Sequence, residues 1–268
     1  MKENRLKFQK ADVESWATFL NVGHSLKETA KHFNVEYRTL LHYLINFGLY
    51  TPKKKCPKKK DYVLNHNYFE KIDTPEKAYF LGLMMSDGYI MTTLYNKEVG
   101  IALQSSDMYI LKKLNSCISP EKSLSKYKNS YKWKVTSKKI YMDLTKYGIT
   151  ENKSHTSYMY PLIPKEFDRD FIRGYFDGDG CISIKSTGYN VISFCSNSLP
   201  FLKSLAKVLL LYGVQTRPIY STSKNRKSIF HTLYISGGVN KSIFKKFLYE
   251  NAKIFLIRKF EKFKGIPC

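Results

Sequence analysis

The sequence predicts an α+β fold, a tandem pseudo-twofold duplicated αββαββα unit preceded by a small all-α N-terminal domain. Three observations predict it. An apolar run ending in Asp-Gly occurs twice, at 80–88 (Phe-Leu-Gly-Leu-Met-Met-Ser-Asp-Gly) and at 172–180 (Ile-Arg-Gly-Tyr-Phe-Asp-Gly-Asp-Gly). The same succession of strand-like and helical periodicities follows each copy, which marks an internal repeat. The first 50 residues carry helical periodicity alone.

Bulk properties bound the partner. The chain has 268 residues, 43% of them hydrophobic, enough for a duplicated body with a sizeable core. Its 45 Lys+Arg against 22 Asp+Glu give a net charge of +23, which suits a polyanion bound by counterion release. No apolar run approaches the ~18 residues that suggest a membrane span, and no signal peptide or lipidation signature is present. Five cysteines without a Cys-x-x-Cys pair, and scattered histidines, argue against a zinc site. The expectation is a reducing compartment, cytoplasmic or organellar, with no secretion and no membrane partner.

Residues 1–50 read as a helix-turn-helix-like DNA-binding module. Val13, Trp16, Ala17 and Leu20 recur at helical spacing and Gly23 closes that helix. Ser25 and Glu28 have the capping-box form. A helix over 26–33 follows, Asn34 suits the tight turn, and a helix over 36–47 buries Leu40, Leu41 and Leu44. Its exposed start, Glu36, Tyr37, Arg38 and His42, would enter a major groove. Residues 51–60, with two prolines and six lysines, form a solvated linker.

The two halves, 61–158 and 159–268, then repeat one order of elements. In the first, the motif helix starts at Thr74 and Pro75. Strands are predicted at 89–94, 99–104, 122–128 and 131–137, and helices at 107–118 and 138–147. In the second, the motif helix covers 170–179, strands cover 181–185, 191–196, 217–222 and 230–236, and helices cover 198–212 and 240–258. Tyr131, Trp133 and Val135 share one strand face, with Lys132, Lys134 and Thr136 on the other. Ser183 and Lys185 likewise oppose Ile182 and Ile184. A sheet packed on helices by one face and offering lysines and hydroxyls on the other can lie along a duplex.

The chemistry sits at the motif ends. Gly82 and Ser86, and Gly174 and Gly178, lie four apart, so each pair lines one helix face and lets another backbone approach closely. If the two faces meet, Asp87 and Asp179 emerge side by side at helix C-termini, where the dipole favours a cation. Two close carboxylates repel unless a divalent metal neutralises them, and oxygen ligands suit Mg²⁺. Such a centre can activate water and stabilise the charge of phosphodiester hydrolysis.

At these residues the chain resembles the LAGLIDADG homing endonucleases in their single-chain, two-motif form, over roughly residues 61–268. The resemblance implies a saddle-shaped DNA-binding duplicate that acts as a monomer and cuts both strands of a long asymmetric target. It implies Asp87 and Asp179 as metal ligands, with Ser86 and Gly178 beside them, and Mg²⁺ as cofactor with Mn²⁺ able to substitute. The motif's earlier acid is present as Asp177 but replaced by Met85 in the first copy, which weakens that helix end. The family's basic residue near the scissile phosphate corresponds to Lys153 and Lys259, each expected to stabilise transition-state charge. Gln104 and Asn197 are candidates for positioning water. An intron RNA maturase and a catalytically inactive DNA-binding regulator are the competing readings. Retention of both acids counts against the regulator, and splicing of a host intron would discriminate the maturase.

Overall fold

The structure, a computed structural model, describes residues 8–51, 62–94, 96–153, 156–184, 190–222 and 229–264. All but Thr51 of the predicted linker, and Lys185 of the predicted DNA-binding set, lie outside the described residues. The chain divides into two compact units, 1–59 and 60–268. Among the described residues no helix is long and apolar enough to cross a membrane.

The N-terminal unit holds three helices, α1 (Lys10–Asn21), α2 (Leu26–His32) and α3 (Tyr37–Asn46). Val13, Trp16 and Ala17 of α1 meet Ala30, Leu40, Tyr43 and Leu44 in one small core. The Ser25 hydroxyl accepts from the Glu28 amide, while the Glu28 carboxylate accepts from the Ser25 amide at 2.7 Å. Asn34 turns the chain between α2 and α3 at φ 50°. Glu36 stands outside α3 as its cap, accepting from the Thr39 amide at 3.0 Å. It is thereby occupied in starting the helix, whereas Tyr37, Arg38 and His42 are exposed on it.

The larger unit repeats one architecture. Its first half runs α4 (Pro75–Ser86), β1 (Gly88–Thr92), β2 (Lys97–Gln104), α5 (Met108–Ile118), β3 (Ser125–Tyr127), β4 (Ser130–Thr136) and α6 (Lys138–Lys146). Its second runs α7 (Asp168–Asp179), β5 (Gly180–Ile184), β6 (Asn190–Ser196), α8 (Leu199–Leu211), β7 (Tyr220–Thr222), β8 (Phe230–Ile235), α9 (Gly238–Tyr249) and α10 (Ile257–Lys262). Each half folds into a four-stranded antiparallel sheet, ordered β1-β2-β4-β3 and β5-β6-β8-β7. The registers correspond: Gly88 pairs with Ile101 as Gly180 pairs with Phe194. The αββαββα duplication read from the sequence is therefore the fold, with shorter outer strands. Arg217, the first residue of the strand predicted over 217–222, precedes β7, and its amide bonds the Tyr234 carbonyl at 2.8 Å. The helices predicted over 240–258 are α9 and α10, the second running on to Lys262, with a turn between them in which Asn251 takes φ 58°.

One face of each sheet packs on helices. Val99, Ile101, Trp133 and Val135 are buried in the first half, and Ile192, Phe194, Leu233 and Ile235 in the second. Trp133 places its indole N–H on the Ser119 hydroxyl at 3.1 Å, so its polar atom is satisfied inside the core.

The two halves join where α4 crosses α7. A Cβ at Gly82 would overlap the Phe171 carbonyl oxygen, and a Cβ at Gly174 would overlap the Tyr79 carbonyl oxygen. These are equivalent contacts, because Tyr79 precedes Gly82 and Phe171 precedes Gly174 by the same three positions. One turn on, Gly178 leaves room only for the Ser86 side chain. Helix backbones this close have no slack for a methyl group. Gly174→Ala is expected to cost about 3 kcal/mol or more, the upper range for overpacking a core. Gly238→Ala, in open space at the start of α9, should stay within about 0.5 kcal/mol. Urea denaturation of both variants measures the difference.

Candidate active site

The crossing delivers the two acids. Asp87 caps α4 and Asp179 ends α7, each directly before a strand. A Cβ on Gly178 would stand 2.9 Å from the Asp87 Oδ2, which places that carboxylate against the end of the other motif helix. Both residues are exposed, yet enough protein lies around each carboxyl to withdraw part of its solvation. That enclosure pushes the Asp179 carboxyl up to about 6, and the negative charge of Asp87 adds to the rise, while Lys153 and Lys259 oppose it. Asp87 is raised by the same enclosure, with Lys153, Lys259 and Arg258 pulling the other way.

Each helix end carries its own lysine. Lys153 Nζ donates to the carbonyls of Met84 at 3.0 Å, Met85 at 2.9 Å and Ser86 at 2.5 Å, the terminal acceptors of α4. Lys259 Nζ donates to the Phe176 carbonyl at 3.3 Å and to that of Gly180, at the end of α7. A cation at the negative end of a helix is where the dipole favours it. Burial lowers the Lys153 ammonium to about 8, against the pull of Asp179 and Asp87, and burial lowers Lys259 as well. The end of α4 is thus fully capped although Met85 replaces the earlier acid.

Asp177 does more than finish a helix. It is buried and accepts from the Tyr79 hydroxyl at 2.8 Å, the Tyr249 hydroxyl at 3.3 Å and the Leu256 amide at 2.7 Å. It therefore ties α7 to α4 and to the segment leading into α10, which carries Lys259. Burial raises its carboxyl to about 6, with the Leu256 amide and the Tyr79 hydroxyl working against the rise. At the symmetry-related place on the crossing, Phe171 of α7 and Met85 of α4 stand where Tyr79 and Asp177 stand here, so donor and acceptor are both missing.

Other positioning groups were not singled out by sequence reasoning. Arg173, buried in α7, donates to the carbonyls of Ile254 at 2.8 Å and Leu248 at 3.0 Å and pairs with Asp170 at 2.5 Å. It fixes the approach to α10. Arg258 crosses from the second half to the buried Asp107 of the first at 2.8 Å. Tyr158 lines a cleft of about 200 Å³ with Ser86, Lys153, Asp179 and Asn197. Asn197 is thus brought beside one acid, whereas Gln104 ends β2 with its side chain exposed.

The open sheet faces flank these acids. Lys134 is exposed and pairs with Glu98 at 2.9 Å, Lys132 is half-buried beside it, and Ser183 is exposed on β5. In the N-terminal unit Tyr37, Arg38 and His42 share the exposed side of α3, with His42 Nε2 2.9 Å from the Asn46 amide nitrogen.

The donor set fits a hard divalent cation. Among the described residues no three His, Cys, Asp or Glu side chains cluster as metal ligands. What the helix crossing offers is two mutually repelling carboxylates on exposed residues, an oxygen-only set that leaves positions for water and phosphate. Of the neighbours expected to share the ion, Ser86 has its carbonyl engaged by Lys153, and Gly178 abuts the Ser86 side chain.

Comparison with known proteins agrees with this architecture. Residues 166–248 match the family described as LAGLIDADG-like domain. The structure is similar to the I-SmaMI LAGLIDADG homing endonuclease bound to cleaved DNA, with a TM-score of 0.53 and 12% identity over 73% of this chain and 88% of that one. It is also similar to I-DmoI in complex with DNA and Ca, with a TM-score of 0.49 and 17% identity over 71% of this chain and 97% of that one. The duplicated unit thus has the LAGLIDADG fold, and the chain resembles the homing endonucleases of that type. Among curated proteins it is similar to a probable translation initiation factor IF-2 of Thermococcus kodakarensis, 29% identical over 178 residues. One of Methanocaldococcus jannaschii is 30% identical over 177 residues. In each case the match covers 63% of this chain and 14% of the relative's length.

The raised carboxyl makes a stability prediction. The folded value of about 6 for Asp179 lies above an unfolded value of about 3.9. Its ionisation therefore costs stability that is absent below pH ~4 and complete above pH ~6. Asp179→Asn should raise stability at pH 8 in chelator by about 1 kcal/mol, allowing for solvent screening, and leave it unchanged at pH 3.5. Chemical denaturation at the two pH values checks this.

Proposed function

We propose that this chain is a site-specific, Mg²⁺-dependent double-strand DNA endonuclease of the homing type, encoded by an intron or another mobile element. The observation that carries the reading is the convergence of Asp87 and Asp179 at a helix crossing, each beside a lysine that caps its own helix end. Two further features support it: the net charge of +23 and the LAGLIDADG-like domain over 166–248. The I-SmaMI and I-DmoI structures hold DNA, and DNA is the substrate assigned to this chain.

Asp87 and Asp179 would hold the metal, which when bound supplies an acidified water and offsets the charge gathering on the phosphate. The protein's own groups do the rest. The Asp pair accepts the cation only when both carboxylates are ionised, so metal affinity falls as pH drops below about 6, the value to which Asp179 is raised. Lys153, held near 8, can exchange a proton at Nζ close to neutral pH, and while charged it draws the phosphate toward the acids. Lys259, whose ammonium is lowered by burial, draws the phosphate of the second strand of the duplex toward the acids. Lys132, Lys134 and Ser183 on the open sheet faces contact DNA, Asn197 orients water in the cleft it lines with Asp179, and the N-terminal helices add contacts through Tyr37, Arg38 and His42. Mn²⁺ would substitute for Mg²⁺, since it accepts the same oxygen donors.

Asp87→Asn and Asp179→Asn should each lower double-strand cleavage in Mg²⁺ by a factor of ~10³ or more, as loss of a metal site or charge stabiliser does, and leave duplex affinity within a few-fold. Cleavage at the wild-type rate by either variant would refute the assignment. A second expectation concerns the N-terminal unit. Deleting residues 1–50 should shorten the protected stretch of DNA at one end only and weaken binding; footprinting compares the two proteins, and an unchanged footprint would make those helices structural.

A further inference from the structure

The two open sheet faces, equivalent in backbone, differ in chemistry. The registers set the positions against each other. Gly100 pairs with Lys134 where Ser193 pairs with Tyr234, and Ala102 pairs with Lys132 where Cys195 pairs with Thr232. Next to them, Tyr89 pairs with Gly100 where Cys181 pairs with Ser193. Glu98 occupies the position of Val191, two residues before Gly100 and Ser193 respectively.

In the first sheet these residues form one fixed cluster. Glu98 accepts from the Tyr89 hydroxyl at 2.8 Å and pairs with Lys134 at 2.9 Å. Lys132 Nζ sits 4.6 Å from the centre of the Tyr89 ring. That ring lies so close over Gly100 that no side chain would fit there. Both ammonium groups are thus held in place before any ligand arrives, which lowers the ordering cost of binding. With both of its oxygens engaged, Glu98 positions the lysines and is not itself a reader. In the second sheet the described residues at the same positions are Cys181, Val191, Thr232 and Tyr234. None of these is a Lys, Arg, Asp or Glu. Arg217 and Lys241, the cations that line a cleft with Val191 and Tyr234, donate to the Ser236 hydroxyl at 2.7 Å and the Asn190 carbonyl at 2.6 Å.

We propose that the two halves of the target are read by different chemistry. Under the first sheet, Lys132 and Lys134 donate to the base-edge acceptors of guanine, so that half requires G·C pairs. Under the second, Val191, Thr232 and Tyr234 make neutral and apolar contacts that favour the thymine methyl, so that half prefers A·T pairs. Lysine is a donor matched to guanine O6 and N7, whereas apolar side chains and the threonine methyl match thymine. This inference rests on the endonuclease reading.

The test is selection of bound duplexes from a randomised library by the full-length chain carrying Asp87→Asn, which binds without cutting. It is repeated with Lys134→Met, Lys132→Met, Val191→Ser or Tyr234→Ser added. The expected sites have one half with fixed G·C positions and one A·T-rich half. Lys134→Met and Lys132→Met should relax preference at G·C positions about ten-fold, the scale of a good base contact, and leave the other half unchanged. Val191→Ser and Tyr234→Ser should do the reverse. Enriched sites with equal G·C demand in both halves, or lysine and tyrosine variants relaxing the same half, would overturn the inference while leaving the endonuclease reading intact. Failure to enrich any sequence would overturn both.

Discussion

Everything in the larger unit depends on how closely α4 and α7 approach. Gly82 and Gly174 each face the other helix's backbone carbonyl, from Phe171 and Tyr79. A single methyl on either would push the axes apart. Because the strands β1 and β5 begin directly after these helices, the crossing also sets where both sheets start and where Asp87 and Asp179 emerge. Packing of this kind is stiff, since interiors have the density of crystals and transmit small displacements. Geometry at the acids is therefore inherited from glycines five residues earlier on each helix.

The same crossing concentrates charge in a place that resists it. Two carboxylates emerge at one crossing, and partial desolvation by the surrounding protein raises each above its ordinary value. Burial lowers both nearby lysines; Asp179 and Asp87 oppose it at Lys153, and Asp177 opposes it at Lys259. Strain of this electrostatic sort is typical of sites built for chemistry. It is contained by groups with no contact to a substrate: Asp177 bonds across the seam to Tyr79, Arg173 fixes the chain ahead of α10, and Arg258 reaches back to Asp107.

Much of this was legible in the sequence because it is local or repeated. The spacing Gly82 to Ser86, mirrored by Gly174 and Gly178, announced a helix face made for close approach. The alternation through Tyr131, Trp133 and Val135 separated the buried sheet face from the open one. The Ser25–Glu28 pair and Asn34 marked the start and turn of the N-terminal helices. What escaped was long-range. Asp177 and Tyr79 are 98 positions apart, and Asp107 and Arg258 are 151 apart. No periodicity relates such pairs. One trace existed: aligning the halves puts Phe171 against Tyr79 and Met85 against Asp177, a hydroxyl and a carboxylate lost together. Outer-strand limits also escaped: Arg217 bonds the Tyr234 carbonyl through its amide yet lies outside β7.

The proposed function requires that the glycine-lined crossing of twin helices make one divalent-cation site from two acids. Anomalous diffraction from crystals grown with Mn²⁺ tests it most directly. The expected result is a manganese peak touching carboxylate oxygens of both Asp87 and Asp179, absent from crystals of Asp87→Asn. Manganese bound elsewhere on the chain, or at this pair equally well without the Asp87 carboxylate, would contradict it.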